Sequence, residues 1–253
     1  MGALDLPPLI HGDGTAELTW RRWLPRLRCH ELPMHEWLPP SARLVVVAPH
    51  PDDEILACGG LIATHFAQGG DVQLVAVTDG EASHDESPSM SREELAEVRR
   101  QERREGLRHL GLEEPSLHAL GLQDGRVGLQ AGMLQDRLKA MLRPDDVVVS
   151  TWEHDGHPDH DAVGMAARHA CTATGSAFLA APVWMWHWAT PGDTRVPWRR
   201  LRAVPVGAAA SARKLSALAA HHSQLSPRGP QLGAVLGQAI LKRAAWRTEY
   251  YFA

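Results

Sequence analysis

Leu44-Val45-Val46-Val47 is an apolar run with no polar residue at either parity, so neither face of a strand built from it can meet water. A strand buried on both faces belongs inside a parallel sheet, and parallel neighbours need long crossovers, usually helices, between them. The rest of the chain supplies that alternation. Residues 54–68 read as a helix with Asp52 or Asp53 as cap, where the helix dipole favours negative charge. Residues 72–77 read as a strand closed by Thr78-Asp79-Gly80, and residues 81–90 as a polar surface loop. Ser91 and Glu94 form a capping box that opens a helix to Leu110, stopped by Gly111. A strand at 117–120, a helix at 133–142, a strand at 147–150 and a helix at 159–172 continue the pattern. Residues 182–188 and 201–206 read as later strands, and 208–221 as an Ala-rich helix. The expected fold class is α/β: right-handed βαβ units in a mostly parallel, doubly wound sheet with helices on both faces. No internal repeat or linker divides the chain, so residues 41–253 are expected to form one domain. Residues 1–40, rich in Pro, Trp and Arg, are expected to be an irregular arm packed on it, with one short helix around 17–24.

Composition narrows the partners. A formal charge of -4 over 253 residues disfavours a nucleic-acid or anionic-membrane binder, and Arg195, Arg199, Arg200 and Arg202 read as a solvated face. No apolar stretch is long enough to span a bilayer. Neither a secretory signal nor a myristoylation site is legible, since Leu6 stands where the latter wants Ser or Thr. Cys29, Cys58 and Cys171 fit no ribbon or redox spacing and are expected as reduced thiols in a cytoplasmic protein.

Two polar clusters carry chemistry. Pro49-His50-Pro51-Asp52-Asp53-Glu54 follows the run at 44–47, and His157-Pro158-Asp159-His160 follows the one at 147–150. Open α/β sheets bind ligands beyond the carboxyl ends of their strands, so the clusters share one crevice if the two strands are neighbours. His50 and Asp53 are three residues apart, and one turn can aim both at a single ion, with His160 as third ligand from the opposite loop. Two imidazoles and one carboxylate leave coordination positions open for water and substrate, which marks a catalytic site. Zn²⁺ is the first choice, and Fe²⁺ suits the same donors. Asp52 lies beside the ligands, free to take a proton from water. His157 is expected to stabilise an oxyanion in its cationic form, with Asp159 orienting it and raising its pKa.

His50-Pro51-Asp52-Asp53-Glu54 together with His157-Pro158-Asp159-His160 resembles the LmbE/PIG-L family of metal-dependent N-deacetylases, over about residues 44–224. The resemblance implies a Rossmann-like fold and zinc on His50, Asp53 and His160. It also implies Asp52 as general base, His157 as oxyanion partner, and an amino sugar of the N-acetylglucosamine type, or its conjugate, as substrate. Arg99 and Glu102 resemble the family's Arg-x-x-Glu, and Asp124 resembles a sugar-contacting aspartate, which makes Arg99 and Asp124 substrate-binding candidates. His221-His222-Ser223-Gln224 also resembles a family segment and receives no role. Hydrolysis of a different N-acyl amide, and a non-catalytic sugar-binding protein, are the alternatives.

Trp184, Trp186 and Trp188 alternate, and on a strand they share one face opposite Met185 and His187. Such a row serves a core, a subunit interface in a homo-oligomer, or a sugar face. His154 and Asp155 are expected at the cleft rim.

Overall fold

The computed structural model describes residues 10, 12, 14–85, 90–229 and 232–253. The first nine residues of the expected arm, and 86–89 of the polar loop, lie outside the described residues. In chain order the elements are α1 (Glu17–Leu27), β1 (His30–Glu31), α2 (Met34–Trp37), β2 (Arg43–Ala48), α3 (Asp53–Ala67), β3 (Asp71–Ala76), α4 (Arg92–Leu110) and β4 (Ser116–Ala119). They continue through α5 (Ala131–Met141), β5 (Val147–Thr151), α6 (Pro158–Thr174), β6 (Ala177–Ala181), α7 (Met185–Trp188), β7 (Leu201–Pro205), α8 (Ala208–Ala219), α9 (His222–Leu225), α10 (Gln238–Ala244) and β8 (Thr248–Phe252).

The strands form one sheet in the order β1-β7-β8-β6-β5-β2-β3-β4, parallel except where β8 runs antiparallel to β6 and β7. The apolar run of β2 explains its central place. Leu44 and Val46 enter one core cluster with Leu61, Leu107 and Leu218 from α3, α4 and α8. Val45 and Val47 enter another with Leu134, Leu138 and Val163 from α5 and α6. Helices therefore cover both faces, and the α/β, doubly wound reading holds. Chain order runs outward from β2 through β3 to β4, then returns to β5 on the other side and runs to β6. The switch point falls between β2 and β5, which pair from Leu44↔Val147 to Val47↔Ser150. Arg43 clamps the far end of that pair, with Nε and Nη2 donating to the two oxygens of buried Asp146 at 2.8 and 2.6 Å.

Differences from the sequence reading have local causes. The expected strand at 182–188 is instead β6, ending at Ala181, followed by the helical turn α7. The carboxylate of Asp155 accepts the backbone N–H of Val183, Trp184 and Met185 at 2.8–2.9 Å, which curls this stretch into a turn. The three indoles therefore do not share a strand face. Trp186 is buried among Trp20, Trp246 and Tyr250, while Trp184 and Trp188 are half-buried. In the N-terminal segment, α1 runs to Leu27, beyond the expected 17–24, and β1 pairs with β7 as an edge strand. Helix α3 breaks at Cys58 (φ -148°), and buried groups satisfy the break. Glu249 accepts from Gly60 N and Leu61 N, Lys214 Nζ donates to Leu56 O and Glu249, and Tyr251 donates to Ala57 O.

Candidate functional site

The two clusters leave the carboxyl ends of adjacent strands and meet. The ring centroids of His50, His157 and His160 lie 4.8–5.3 Å apart. Asp53 is in the first turn of α3 and His160 in the first turn of α6. Gly164 lets α6 approach the end of β5, for a Cβ there would lie 2.3 Å from Thr151 O. Thr151 Oγ1 donates to His160 O at 3.0 Å and fixes that first turn.

Three donors converge. Oδ2 of Asp53 lies 3.1 Å from His50 Nδ1 and 3.2 Å from His160 Nε2. Ligand atoms of His50, Asp53 and His160 all fall within 4.8 Å of one another, as do those of His50, His157 and Asp159. The outer nitrogen of each imidazole meets a carboxylate: His50 Nε2 faces Asp124 at 3.1 Å and Asp159 at 3.2 Å, and His160 Nδ1 faces Asp155 at 2.8 Å. Carboxylates placed behind metal-bound histidines fix the ring tautomer, leaving the inner nitrogen free to bind. His160 Nε2 is buried and makes no hydrogen bond among the described residues. Four buried carboxylates around two imidazoles leave the cluster short of positive charge. Burial opposes protonation of both rings. Even so, the carboxylates Asp53 and Asp155 raise His160 to about 9, and hydrogen bonds to Asp124, Asp159 and Asp53 hold His50 well above the usual range. Burial would raise Asp53, but His160 and His50 keep its carboxyl well below the usual range. This donor set fits a divalent cation.

Asp52 occupies the N-cap of α3 without capping it, at φ 124°, a conformation that costs a non-glycine residue about 1–3 kcal/mol. Arg99 holds it there. Its guanidinium donates to Gly80 O and Pro51 O at 2.7 Å and to Asp52 Oδ2 at 3.3 Å. Gly80 makes room, since a Cβ there would lie 2.0 Å from Arg99 Nη1. Arg99 is 2% exposed, lines the same pocket as Asp52 and is bonded on two of its three nitrogens, so it clamps Asp52 from the pocket wall. Burial raises the Asp52 carboxyl to about 7, against the pull of Arg99. Two neighbouring carboxyls are thus pushed apart, Asp53 ionised and Asp52 poised to exchange a proton. Asp124 lines the pocket too, with Oδ1 3.1 Å from His50 Nε2 and Oδ2 accepting from Ala82 N at 2.8 Å.

The Asp159 carboxylate lies within 4.8 Å of a His157 ring nitrogen, while its hydrogen bonds go to Gly125 N at 2.7 Å, Val127 N at 3.1 Å and the His50 ring at 3.2 Å. Its backbone N–H, by contrast, donates to His157 Nδ1 at 3.2 Å, as befits the N-cap of α6. Burial first, then His160 and His50, push His157 down to about 3. With Nδ1 accepting the Asp159 N–H, Nε2 is the ring nitrogen of His157 left to carry a proton toward the pocket.

Sequence reasoning misplaced Asp155. It is fully buried, not at the rim, and accepts from His160 and from three backbone N–H groups, while His154 is exposed. It also overlooked how the 221–225 turn docks. Glu102 accepts from Ser223 N at 2.7 Å and Ser223 Oγ at 2.6 Å, which brings Gln224 to the wall of a pocket of about 80 Å³. His50, Asp52, Asp53, His157, His160 and Trp184 also line that pocket.

His221 is fully buried, and neither ring nitrogen has a partner among the described residues. Burial, then Arg99 and Arg103, lower it to about 3. The unfolded chain takes up this proton below about pH 6.5 and the native state does not, so stability falls as pH drops from there toward 3. The expected loss between pH 7 and pH 5 is about 2 kcal/mol from this group. His221→Phe should abolish that share. Urea unfolding at both pH values checks it, and equal losses in the two proteins would contradict it.

Curated relatives share sequence with the chain. It is 29% identical over 133 residues to the probable N-acetyl-alpha-D-glucosaminyl L-malate deacetylase 2 of Bacillus cereus, covering 50% of this chain and 60% of that protein. It is 41% identical over 82 residues to the 1D-myo-inositol 2-acetamido-2-deoxy-alpha-D-glucopyranoside deacetylase of Mycobacteroides abscessus, covering 30% and 29%. The chain thus spans less than two thirds of either relative's length. The solved N,N'-diacetylchitobiose deacetylase of Pyrococcus horikoshii shares the fold at a TM-score of 0.56 and 23% identity, over 82% of this chain and 77% of that one. Residues 45–171, half of the chain, match the family described as PIG-L, GlcNAc-PI de-N-acetylase, and the chain belongs to that family.

Proposed function

We propose that the chain is a metal-dependent N-deacetylase that hydrolyses the N-acetyl group of an amino sugar of the N-acetylglucosamine type or of its conjugate. The observation that carries this reading is the convergence of His50 Nδ1, Asp53 Oδ2 and His160 Nε2, with the raised carboxyl of Asp52 beside them. The relatives named for deacetylation of N-acetylglucosaminyl compounds support the substrate class.

His50, Asp53 and His160 would hold the ion, with Zn²⁺ preferred and Fe²⁺ suited to the same donors. Bound there, a divalent cation supplies a Lewis acid that polarises the amide carbonyl and acidifies water. Asp52 takes a proton from the attacking water as the C–O bond forms. His157 Nε2–H donates to the oxygen that gains charge; a neutral donor serves this role, as a backbone N–H does elsewhere. Asp52 then gives its proton to the amine nitrogen as the C–N bond breaks, leaving acetate and a free amine. Arg99 holds the Asp52 carboxylate, and Asp124 and Asp159 hold the His50 ring; these are positioning roles. Hydrolysis of another N-acyl amide on the same site is the second reading.

No described helix is long and apolar enough to cross a membrane. The three free cysteines fit a reducing cytoplasm.

Metal analysis with an amine-release assay over N-acetylglucosamine, its nucleotide and its glycosides tests the proposal. Acetate and amine should appear together, and turnover of non-sugar amides alone would sink the glycan reading. His160→Ala should drop bound metal well below one equivalent. A stoichiometric ion in that variant would exclude His160 as a ligand.

A further inference from the structure

The pocket around the three histidines, about 80 Å³, holds an acetamido group but falls below the roughly 300–1,000 Å³ of sites that enclose a whole small molecule. A second cavity of about 720 Å³ has the missing size. Trp184 and Val235 line both, so the two cavities adjoin across these side chains. We propose that this groove binds the aglycone of the amino-sugar substrate and that it selects an apolar one. The inference rests on the deacetylase reading for the sugar half alone.

Three observations carry it. The first is the lining. Leu18, Ala234, Val235, Ala239, Ile240 and Trp184 line the groove, and Leu18 is a large apolar side chain left 50% exposed. Glu17 and Lys242 contribute one charge of each sign, so the groove favours neither an anion nor a cation.

The second is that the wall is built in advance. Thr15 N donates to His187 O at 2.8 Å, Thr15 Oγ1 to Ala189 O at 2.5 Å, and Trp246 Nε1 to Glu17 Oε1 at 2.8 Å. The start of α1 is thereby pinned against the α7 turn and the region after α10. A wall already in place loses little entropy when a ligand enters.

The third is the throat. Leu236 N donates to Gln224 O at 2.9 Å, which holds the 235–236 stretch on the wall of the histidine pocket that half-buried Trp184 also lines. A sugar whose acetamido group lies against His160 and His157 would have its ring at this throat and its substituent in the groove.

The test compares N-acetylglucosamine with its octyl β-glycoside, below the critical micelle concentration, on the metal-loaded protein. Binding is read by calorimetry and amine release in parallel. The octyl glycoside should bind about tenfold tighter or better, since each buried methylene adds affinity. Leu18→Glu should cut that ratio about fivefold or more. Ala234→Trp, which fills the groove where the first variant charges it, should do the same. Equal binding of the two sugars, or a ratio unmoved by both variants, would overturn the groove. Chain-dependent binding without amine release would keep the groove and remove the deacetylase; amine release with no preference for the chain would do the reverse.

Discussion

Asp52→Asn should lower kcat by about 10²–10⁴-fold, the range that general acid–base catalysis supplies, while the protein keeps its metal. The substitution preserves the shape of the side chain and an oxygen for Arg99, so the strained backbone at φ 124° stays clamped. What it removes is the ability to accept a proton. Asp52 is 5% exposed and raised to about 7, so it moves between its two forms near neutral pH, as a group that both takes and returns a proton must. Asp53 differs in kind: its carboxylate sits between two imidazoles and is held ionised. Steady-state kinetics with metal analysis on the same preparation separates the two roles. Near-normal turnover in Asp52→Asn would remove Asp52 as the base.

Asp155 should matter as much, through different physics. Its carboxylate serves Val183 N, Trp184 N, Met185 N and His160 Nδ1. Asp155→Ala leaves three backbone N–H groups without their acceptor, at about 1–3 kcal/mol for each that stays buried and unpaired. Urea unfolding of the metal-free protein should therefore show a loss of about 3 kcal/mol or more. Asp155→Asn is gentler on the turn and harder on the ligand. An amide that donates to His160 Nδ1 forces the ring proton onto Nε2, the nitrogen needed for the ion. Metal affinity should fall about 10–100-fold, as for other groups that orient a ligand from behind. Unchanged affinity in Asp155→Asn would mean that this carboxylate supports only the α7 turn.

Much of the molecule could be read from local pattern. Val45 and Val47 against Val46 announce a doubly covered strand, and both polar clusters stand where such strands stop, so the switch point and the convergence of His50 with His160 follow from topology. Less legible was the direction of each side chain once there. Asp159 and His157 are neighbours in sequence, yet the N-terminal geometry of α6 gives His157 the backbone N–H of Asp159 and turns the carboxylate toward Gly125 and Val127. Arg99 looked like a surface arginine or a ligand contact on a charged helix. Only the tertiary approach of Gly80 and Pro51 makes it a clamp. The alternating tryptophans imitated a strand because period two was read without the distant carboxylate that bends them into a turn. Strands β1 and β8 escaped because two and five residues of mixed character carry little periodic signal.

The bridge that Asp155 makes between His160 and the backbone of Trp184 has a thermodynamic corollary. One side of it touches the seat proposed for the cation, the other the backbone of Trp184, whose residue lines the same pocket. Anything that steadies either side spares the other part of its ordering, so cation and sugar are expected to tighten each other's hold by one and the same factor.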